Sequence, residues 1–344
     1  MNYIDLNESF VNGAASVERI GGGLRPWRLP HHRKHLFPSP EEGLLGRAKQ
    51  ASGIRLRFET DASSVTLKFK PLEPPSDCTD GHWFDLVKDN RIIQSVRCGG
   101  GATSVDFGEL GKGRKISSIW LPAGCSVTLT GLDLHDGHFA RPRPDRRPLF
   151  VCWGSSLTHC VRAASAARTW PATVARQNAL NLMNLGFGGQ CCLDPLVAMY
   201  IRDLPADYIL LKLGINTIGK GMHPRLYPAL VTGIVEIIRE KHAHTPIALI
   251  SPIAYPQHET APNEVGYTIE GMRCDMQEVH KRLVQAGDNN LYYVDGLKIF
   301  SVADIEKHSN DGCHPGADGI DLMAEKINEH VMPLLLGREG GGEL

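Results

Sequence analysis

The stretch Val151-Cys152-Trp153-Gly154-Ser155-Ser156-Leu157-Thr158 joins the end of an apolar run to a small turn. The apolar run, from Leu149 to Trp153, is typical of a buried strand. A buried strand that ends in Gly and a small hydroxyl residue is typical of a corner that presents a nucleophile. Taken alone, Gly-Ser-Ser is more often a flexible turn. The corner makes Ser156 a candidate nucleophile, to be weighed against the rest of the chain.

From residue 149 onwards, short apolar runs alternate with amphipathic segments. The strand candidates are 149–153, 181–185, 207–213, 246–251 and 290–294. The helix candidates begin after Thr169-Trp170-Pro171, open at Asp194-Pro195, cover roughly 226–241 and 268–286, and begin at about 316. Thr169 and Asp194 precede proline in the order expected of N-caps. This alternation predicts a parallel sheet covered by helices on both faces, with ligands beyond the carboxyl ends of its strands.

The N-terminal part follows a period of two instead. Its strand candidates are 54–58, 65–69, 83–87, 91–96, 104–107, 115–121 and 126–132. Many short strands without intervening helices predict an antiparallel β-sandwich or jelly roll. Residues 1 to about 50 show no clear pattern, and the basic run His31–His35 is expected to be an exposed loop rather than a metal site.

These patterns divide the chain into four expected segments. An N-terminal β-sandwich with an irregular lead-in covers 1–140, and an Arg/Pro-rich stretch at 141–148 is expected to be a stiff, solvated linker. The α/β domain covers 149–336, and the Gly-rich tail 337–344 is expected to be disordered.

The composition is that of an ordinary globular protein. The chain has 344 residues, of which 42% are hydrophobic, and a formal net charge of -1. It therefore shows no bias toward nucleic acid or membrane partners. The N-terminus lacks the basic and apolar regions of a signal peptide, and the 9 cysteines show no zinc-knuckle spacing. We expect a cytoplasmic protein with reduced thiols and no metal or other cofactor, and leave a homo-oligomer open.

Three later stretches also follow predicted strands or precede a predicted helix. They are Asn184–Gln190, which contains Gly189; Leu213–Thr217, which contains Asn216; and Asn310–Gly316, which contains Asp311 and His314. Each alone is commonly a turn. Together they supply what acyl transfer needs: a nucleophile, a base, a carboxylate that orients the base, and donors for an oxyanion.

The segment from about 149 to 335 resembles the SGNH (GDSL-type) hydrolases. Their first block, Gly-Asp-Ser-x-Thr, is similar to Gly154–Thr158, and their last block, Asp-x-x-His-Pro, matches Asp311–Pro315. Their second-block glycine falls on Gly189, and their third block, Gly-x-Asn-Asp, falls on Gly214–Thr217. Two positions depart from the family: Ser155 and Thr217 each stand where the family has Asp.

The resemblance implies a flavodoxin-like five-stranded sheet and a Ser–His–Asp mechanism without a metal. Ser156 would be the nucleophile, His314 the base and Asp311 the carboxylate that orients it. The N–H groups of Ser156 and Gly189 and the Asn216 amide would form the oxyanion hole. Members of the family with an N-terminal β-sandwich include carbohydrate acetyl esterases and acyltransferase-like enzymes of polyketide tailoring. The sequence of Trp153–Cys160 looks more like that of the second group.

Three functions follow as expectations. The first is a carboxylic ester hydrolase that cleaves small acyl esters, with acetylated carbohydrates as one substrate class. The second is an acyltransferase that passes the acyl group to an alcohol of a small-molecule acceptor. The third, a carbohydrate-binding protein with a catalytically silent second domain, is disfavoured because a silent domain has no physical need to keep Ser156, Asn216, Asp311 and His314 together.

Overall fold

The computed structural model describes residues 2–72 and 82–338. The chain divides into two compact units. The first contains residues 1–147 together with 163–184, and the second contains 148–162 together with 185–344. Each unit is therefore built from two separate stretches of the chain, since residues 163–184 group with the N-terminal strands.

The N-terminal part contains twelve strands and one short α-helix, α1, Gly43–Ala48, within the described residues. The strands are β1 Asn2–Ile4, β2 Val11–Asn12, β3 Ser16–Ile20, β4 Gly23–Trp27, β5 Arg55–Thr60, β6 Val65–Phe69, β7 His82–Lys88, β8 Arg91–Cys98, β9 Ser104–Phe107, β10 Lys115–Trp120, β11 Leu129–Leu134 and β12 Ala140–Pro142.

These strands form two antiparallel sheets. The first has the order β3-β4-β11-β6-β9, with β1 also on β11, and the second has the order β12-β5-β10-β7-β8, with β2 also on β5. Alternate side chains of both sheets share one buried core, in which Phe69 of the first sheet stacks on Phe84 of the second at 5.0 Å between ring centroids. The predicted antiparallel β-sandwich is confirmed.

Two N-terminal expectations need correction. The stretch before residue 50 is not irregular, since β1–β4 and α1 lie in it, and His31–Leu36 forms a 3-10 helix rather than a loop. The stretch 141–148 is not simply a solvated linker: β12 pairs with β5, and the Asp145 carboxylate is fully buried against Arg55. Both features depend on partners distant in sequence, as in the pairing of Leu24 with Leu129.

The C-terminal part alternates strands and helices. Its strands are β13 Leu149–Gly154, β14 Asn181–Gly186, β15 Tyr208–Lys212, β16 Ile247–Ile250 and β17 Leu291–Val294. Its helices are α2 Ser156–His159, α3 Trp170–Gln177, α4 Pro195–Asp203, α5 Ile215–Ile218, α6 Tyr227–Arg239, α7 Ile269–Gln285, α8 Gly296–Ile299, α9 Val302–His308, α10 Ala317–His330 and α11 Met332–Leu336.

The five strands form one sheet in the order β14-β13-β15-β16-β17. This is the flavodoxin-like order, in which β13 stands between the strand that follows it and the third strand. The predicted five-stranded parallel sheet is therefore confirmed. The chain reverses its direction of winding between β13 and β15, so their carboxyl ends, Gly154 and Lys212, mark the switch point where ligands bind in such folds.

Local signals explain several helix starts. The hydroxyl of Thr169 accepts a hydrogen bond from the N–H of Ala172 at the start of α3. Asp194 occupies the predicted N-cap of α4, although its side chain makes no capping hydrogen bond.

Within the described residues, no helix has the length and apolar character needed to cross a membrane. Residues 339–344 of the predicted disordered tail lie outside the described part of the chain.

Candidate active site

The two neighbouring serines after β13 occupy different environments. Ser155 is the N-cap of α2: its hydroxyl accepts a hydrogen bond from the Leu157 N–H at 3.4 Å, and the residue is 1% exposed. Ser156 begins α2 and is only partly buried. Its Oγ lies 2.8 Å from Nε2 of His314. The geometry thus pairs Ser156, and not Ser155, with the imidazole.

Close backbone packing explains the glycines around this corner. A Cβ on Gly154 would meet the side chain of Thr158 and lie 3.1 Å from the carbonyl oxygen of Lys212. A Cβ on Gly186 would run into the backbone of Thr158 and His159, which belong to α2. Glycine at both positions lets α2 lie directly against the sheet edge, and this contact sets the position of Ser156.

Asp311 holds His314 through both of its carboxylate oxygens. Oδ2 lies 3.0 Å from Nδ1 of the imidazole, and Oδ1 accepts the His314 backbone N–H at 2.7 Å. Oδ1 also accepts the N–H of Cys313 at 3.0 Å and the hydroxyl of Ser309 at 3.1 Å. One carboxylate therefore closes the turn and orients the ring, with Nδ1 toward Asp311 and Nε2 toward Ser156.

Asp311 stays ionised over a wide pH range. Burial acts to raise its pKa, but hydrogen bonds from the backbone and ring of His314 and from the backbone of Cys313 outweigh that effect. The net result is a pKa well below the usual range for aspartate. A carboxylate in this position can stabilise an imidazolium formed when Nε2 takes a proton from a hydroxyl.

Gly188, Gly189 and Asn216 lie on the loops that flank Ser156. A Cβ on Gly188 would lie 3.5 Å from Cβ of Ser156, which places this loop beside that serine. The N–H of Gly188 points to Nδ1 of His159 at 3.4 Å. The next N–H, that of Gly189, has no hydrogen-bond partner among the described residues. It can therefore donate a hydrogen bond to a ligand.

The Asn216 amide has a fixed orientation. Its Oδ1 accepts the N–H of Cys191 at 3.2 Å, so Nδ2 is the edge left to donate to a ligand. Gly214 makes this turn possible: its φ is +116°, and a Cβ there would lie 2.7 Å from the Tyr227 hydroxyl. The contact with Cys191 joins the loop that carries Asn216 to the loop that carries Gly189.

Arg162 is a site residue that the sequence did not reveal. Its Nη2 lies 3.0 Å from Oδ2 of Asp311, and its Nη1 donates to the carbonyl of His314 at 3.2 Å. Cys160, in the left-handed conformation at φ 57°, ends α2 two residues earlier and turns the chain toward this position. No local pattern signals a partner 149 residues away.

Lys212 is a second residue without a predicted role. It ends β15, is 2% exposed, and is the only charged residue between Tyr208 and Leu213. Burial lowers its pKa to about 8, against a smaller opposing effect from the thiols of Cys313, Cys160 and Cys191. A charged residue inside a buried apolar strand was the signal that could have drawn attention to it.

Metal ligands are not assembled in the described part of the chain. Residues 2–72 and 82–338 contain no group of three or more His, Cys, Asp or Glu side chains arranged to hold a metal ion. The eight cysteines among them form no disulfide with one another, and Cys78 lies outside the described residues.

Two family models match the chain. The GDSL-like lipase/acylhydrolase family matches residues 147–332, and the SsfX3 N-terminal domain matches residues 10–129. A search of curated proteins finds no match.

Solved structures resemble the chain over both parts. The salicylyl-acyltransferase SsfX3 from a tetracycline biosynthetic pathway is 29% identical, with a TM-score of 0.87 over 97% of this chain and 98% of that chain. A Bacteroides ovatus protein described as a putative GDSL-like lipase is 20% identical, with a TM-score of 0.77 over 97% of this chain and 98% of that chain. A family two carbohydrate esterase from Clostridium thermocellum is 16% identical, with a TM-score of 0.63 over 84% and 93%, and like the second it shares the fold alone.

The family model covers more than half of the chain and contains all the predicted blocks from Gly154 to Pro315. The resemblance inferred from the sequence is thereby confirmed: the chain belongs to the GDSL-like lipase/acylhydrolase family.

Proposed function

We propose that this protein is a serine esterase that acts on small acyl esters through an acyl-enzyme on Ser156. The observation that carries the proposal is the continuous arrangement of Ser156, His314 and Asp311, with contacts of 2.8 Å and 3.0 Å. A nucleophile, a base and a carboxylate in this order are the requirement for acyl transfer by a serine.

The first half-reaction acylates Ser156. Its Oγ attacks the ester carbonyl carbon while Nε2 of His314 takes the hydroxyl proton. The oxyanion that forms is held by the N–H groups of Ser156 and Gly189 and by Nδ2 of Asn216. The tetrahedral species then collapses, the bond to the alcohol oxygen breaks, and the imidazolium returns its proton to that oxygen.

The second half-reaction frees the enzyme. A hydroxyl compound attacks the acyl carbon, and His314 takes its proton. The bond to Oγ of Ser156 breaks, and the serine recovers the proton from the imidazolium. Water as the attacking compound gives a carboxylic acid, and an alcohol gives a new ester.

A second candidate is an acyltransferase that uses an alcohol of a small-molecule acceptor. It is favoured by the likeness to the salicylyl-acyltransferase SsfX3, which extends over 97% of this chain and includes the N-terminal domain type. The two candidates share the acyl-enzyme and differ only in the compound that attacks it.

Hydrolysis of p-nitrophenyl acetate by wild type, Ser156→Ala and Ser155→Ala tests the shared step. Ser156→Ala should lose activity by roughly a thousandfold or more, since it removes the attacking oxygen. Ser155→Ala is the matched neighbour and should keep most activity, because Ser155 only caps α2. Equal loss in both variants, or none in Ser156→Ala, would contradict the assignment.

Product analysis separates the two candidates. The wild type is supplied with p-nitrophenyl acetate and increasing glycerol as a model acceptor. An esterase forms acetate at an unchanged product ratio, whereas an acyltransferase forms acetylglycerol in a share that rises with glycerol. Ser156→Ala should form neither product.

A further inference from the structure

The first unit contains a groove with arginine side chains along its walls. Two cavities of about 400 Å³ and 240 Å³ share Arg57, Ile116 and Arg147 in their linings and so adjoin each other. We call them together the arginine groove. Its arginines are Arg55, Arg57, Arg143, Arg146, Arg147 and Arg176.

The groove has a large local excess of positive charge. Its lining holds six guanidinium groups and two carboxylates, those of Asp89 and Asp145, which leaves four uncompensated positive charges. The whole chain has a formal net charge of -1, so the basic character of this surface is not a general property of the protein. Such a concentration of one sign attracts small ions of the other.

Asp145 is already neutralised by two of these arginines. Its Oδ2 contacts Nη2 of Arg55 at 2.9 Å, and both of its oxygens accept hydrogen bonds from Arg147, with Nε of Arg147 at 2.8 Å from Oδ1. The Asp145 side chain is fully buried beneath them. Asp145 therefore holds the side chains of Arg55 and Arg147 in place. It does not neutralise the charges of the other arginines in the groove.

Arg57 shows the effect of this crowding. Its Nη1 donates to the carbonyls of Arg143 at 2.9 Å and of Pro144 at 3.4 Å, which fixes the guanidinium in place. The pKa of Arg57 is lowered, mainly by burial. The Asp145 carboxylate acts to raise this pKa, and the like charges of Arg147 and Arg143 act to lower it. A bound anion would relieve this repulsion.

The remaining walls give the groove an apolar part. Trp120 lines the smaller cavity with the Arg55 guanidinium 4.9 Å from its ring centroid, and Val87 and Ile116 also line that cavity. Arg143 and Arg146 are exposed at the larger cavity. Guanidinium groups present paired N–H donors that match phosphate oxygens. Because guanidinium groups line both adjoining cavities, the groove suits a ligand with more than one phosphate group.

From this arrangement we propose that the arginine groove binds a small molecule that carries two linked phosphates. The lining of the groove includes none of the residues around Ser156, and the proposal does not depend on the esterase assignment. Binding requires only the guanidinium donors and the shape of the two cavities.

Calorimetric titration of the full-length protein with inorganic pyrophosphate tests the proposal, with inorganic phosphate as the comparison ligand. The test variant is Arg143→Ala/Arg146→Ala, since both side chains are exposed and their removal does not touch the buried Asp145 network. Arg33→Ala, in the exposed 3-10 helix His31–Leu36, is the control for loss of surface positive charge. Thermal melts establish that each variant is folded.

Pyrophosphate should bind the wild type saturably and more tightly than phosphate, and its affinity should fall as salt rises. The double variant should bind at least about tenfold more weakly, and Arg33→Ala should bind like the wild type. Absence of saturable binding, or unchanged binding by the double variant, would show that the arginines only brace the fold. Equal affinity for phosphate and pyrophosphate would overturn the two-phosphate ligand.

Discussion

Nη2 of Arg162 lies 3.0 Å from Oδ2 of Asp311, the same oxygen that contacts Nδ1 of His314. The guanidinium therefore shares the carboxylate that orients the imidazole. Cys313 and Tyr255 are two further titratable groups near Asp311. Since the Arg162 and Asp311 side chains are about 45% and 40% exposed, solvent weakens the interaction without removing it.

Replacing Arg162 by Ala should lower kcat/KM modestly, because its guanidinium contacts both Oδ2 of Asp311 and the carbonyl of His314. A partly exposed pair contributes about 0.2–1 kcal/mol, so a loss of about twofold to fivefold is expected. The measurement is steady-state hydrolysis of p-nitrophenyl acetate.

Two further variants control for this effect. Arg162→Lys keeps the charge but not the paired N–H donors, so it should recover only part of the lost activity. Arg225→Ala makes the same change in net charge at an exposed position and should keep wild-type activity. Unchanged kcat/KM in Arg162→Ala would show that the contact with Asp311 does not affect the reaction.

Asn216→Ala should lower kcat by about a hundred- to a thousandfold, because the oxyanion loses a donor. The Cys191 N–H would also lose its acceptor, Oδ1 of Asn216. Asn216→Asp separates the two effects, since it keeps an oxygen for Cys191 but has no N–H to donate. Both variants should therefore be similarly impaired, with melting temperatures near that of the wild type. A loss below about threefold would remove Asn216 from the site.

Lys212→Met should stabilise the protein at neutral pH. Burial lowers the pKa of Lys212 from 10.5 to about 8, so below pH 8 the folded state carries a buried charge at a cost of roughly 3 kcal/mol. Between these two values the folded state releases its proton while the unfolded state still holds one. The stability of the wild type relative to the variant then recovers with rising pH.

The gain in melting temperature of Lys212→Met should accordingly be largest below pH 8 and should shrink as the pH approaches 10. Lys298→Met, at an exposed position of α8, is the control and should show no such pH-dependent gain. A gain that stays constant with pH would mean that hydrophobic packing, and not a buried charge, distinguishes the variant.

Gly186→Ala should destabilise the second unit and lower activity together. The new Cβ would run into the backbone of α2, which has no flexible side-chain end to move aside, so overpacking of about 1–3 kcal/mol or more is expected. Gly233→Ala is the opposite case: in α6 the Cβ meets nothing within 4 Å, and helix propensity should add about 0.5–1 kcal/mol. Chemical denaturation measures both, and an unchanged Gly186→Ala would refute the close contact.

The α/β part was predictable because its signals are local. The five apolar runs became β13–β17 with ends shifted by at most one residue, and Thr169 caps α3 as its position before Pro171 indicates. A flavodoxin-like order then brings the carboxyl ends of neighbouring strands together. Ser156 and Asn216 could thus be expected on adjoining loops from the sequence alone.

The first fifty residues were harder to interpret because their strands depend on distant partners. Gly23–Trp27 contains Arg25 and Pro26, and its sheet partners are β3 and β11, the second of which is about a hundred residues away. Likewise, the Arg/Pro stretch looked solvated because nothing local shows that Asp145 is buried against Arg55. Arg162 escaped notice for the same reason, since its partner Asp311 lies in the last loop of the sheet.

Covalent labelling with a small dialkyl fluorophosphate tests the central claim most directly. A nucleophilic serine displaces fluoride and keeps the phosphoryl group, whatever the natural acyl acceptor is. Mass spectrometry should find one adduct per chain, on Ser156, in the wild type and in Ser155→Ala, and none in Ser156→Ala. An unlabelled wild type, or an adduct on another residue, would contradict the account.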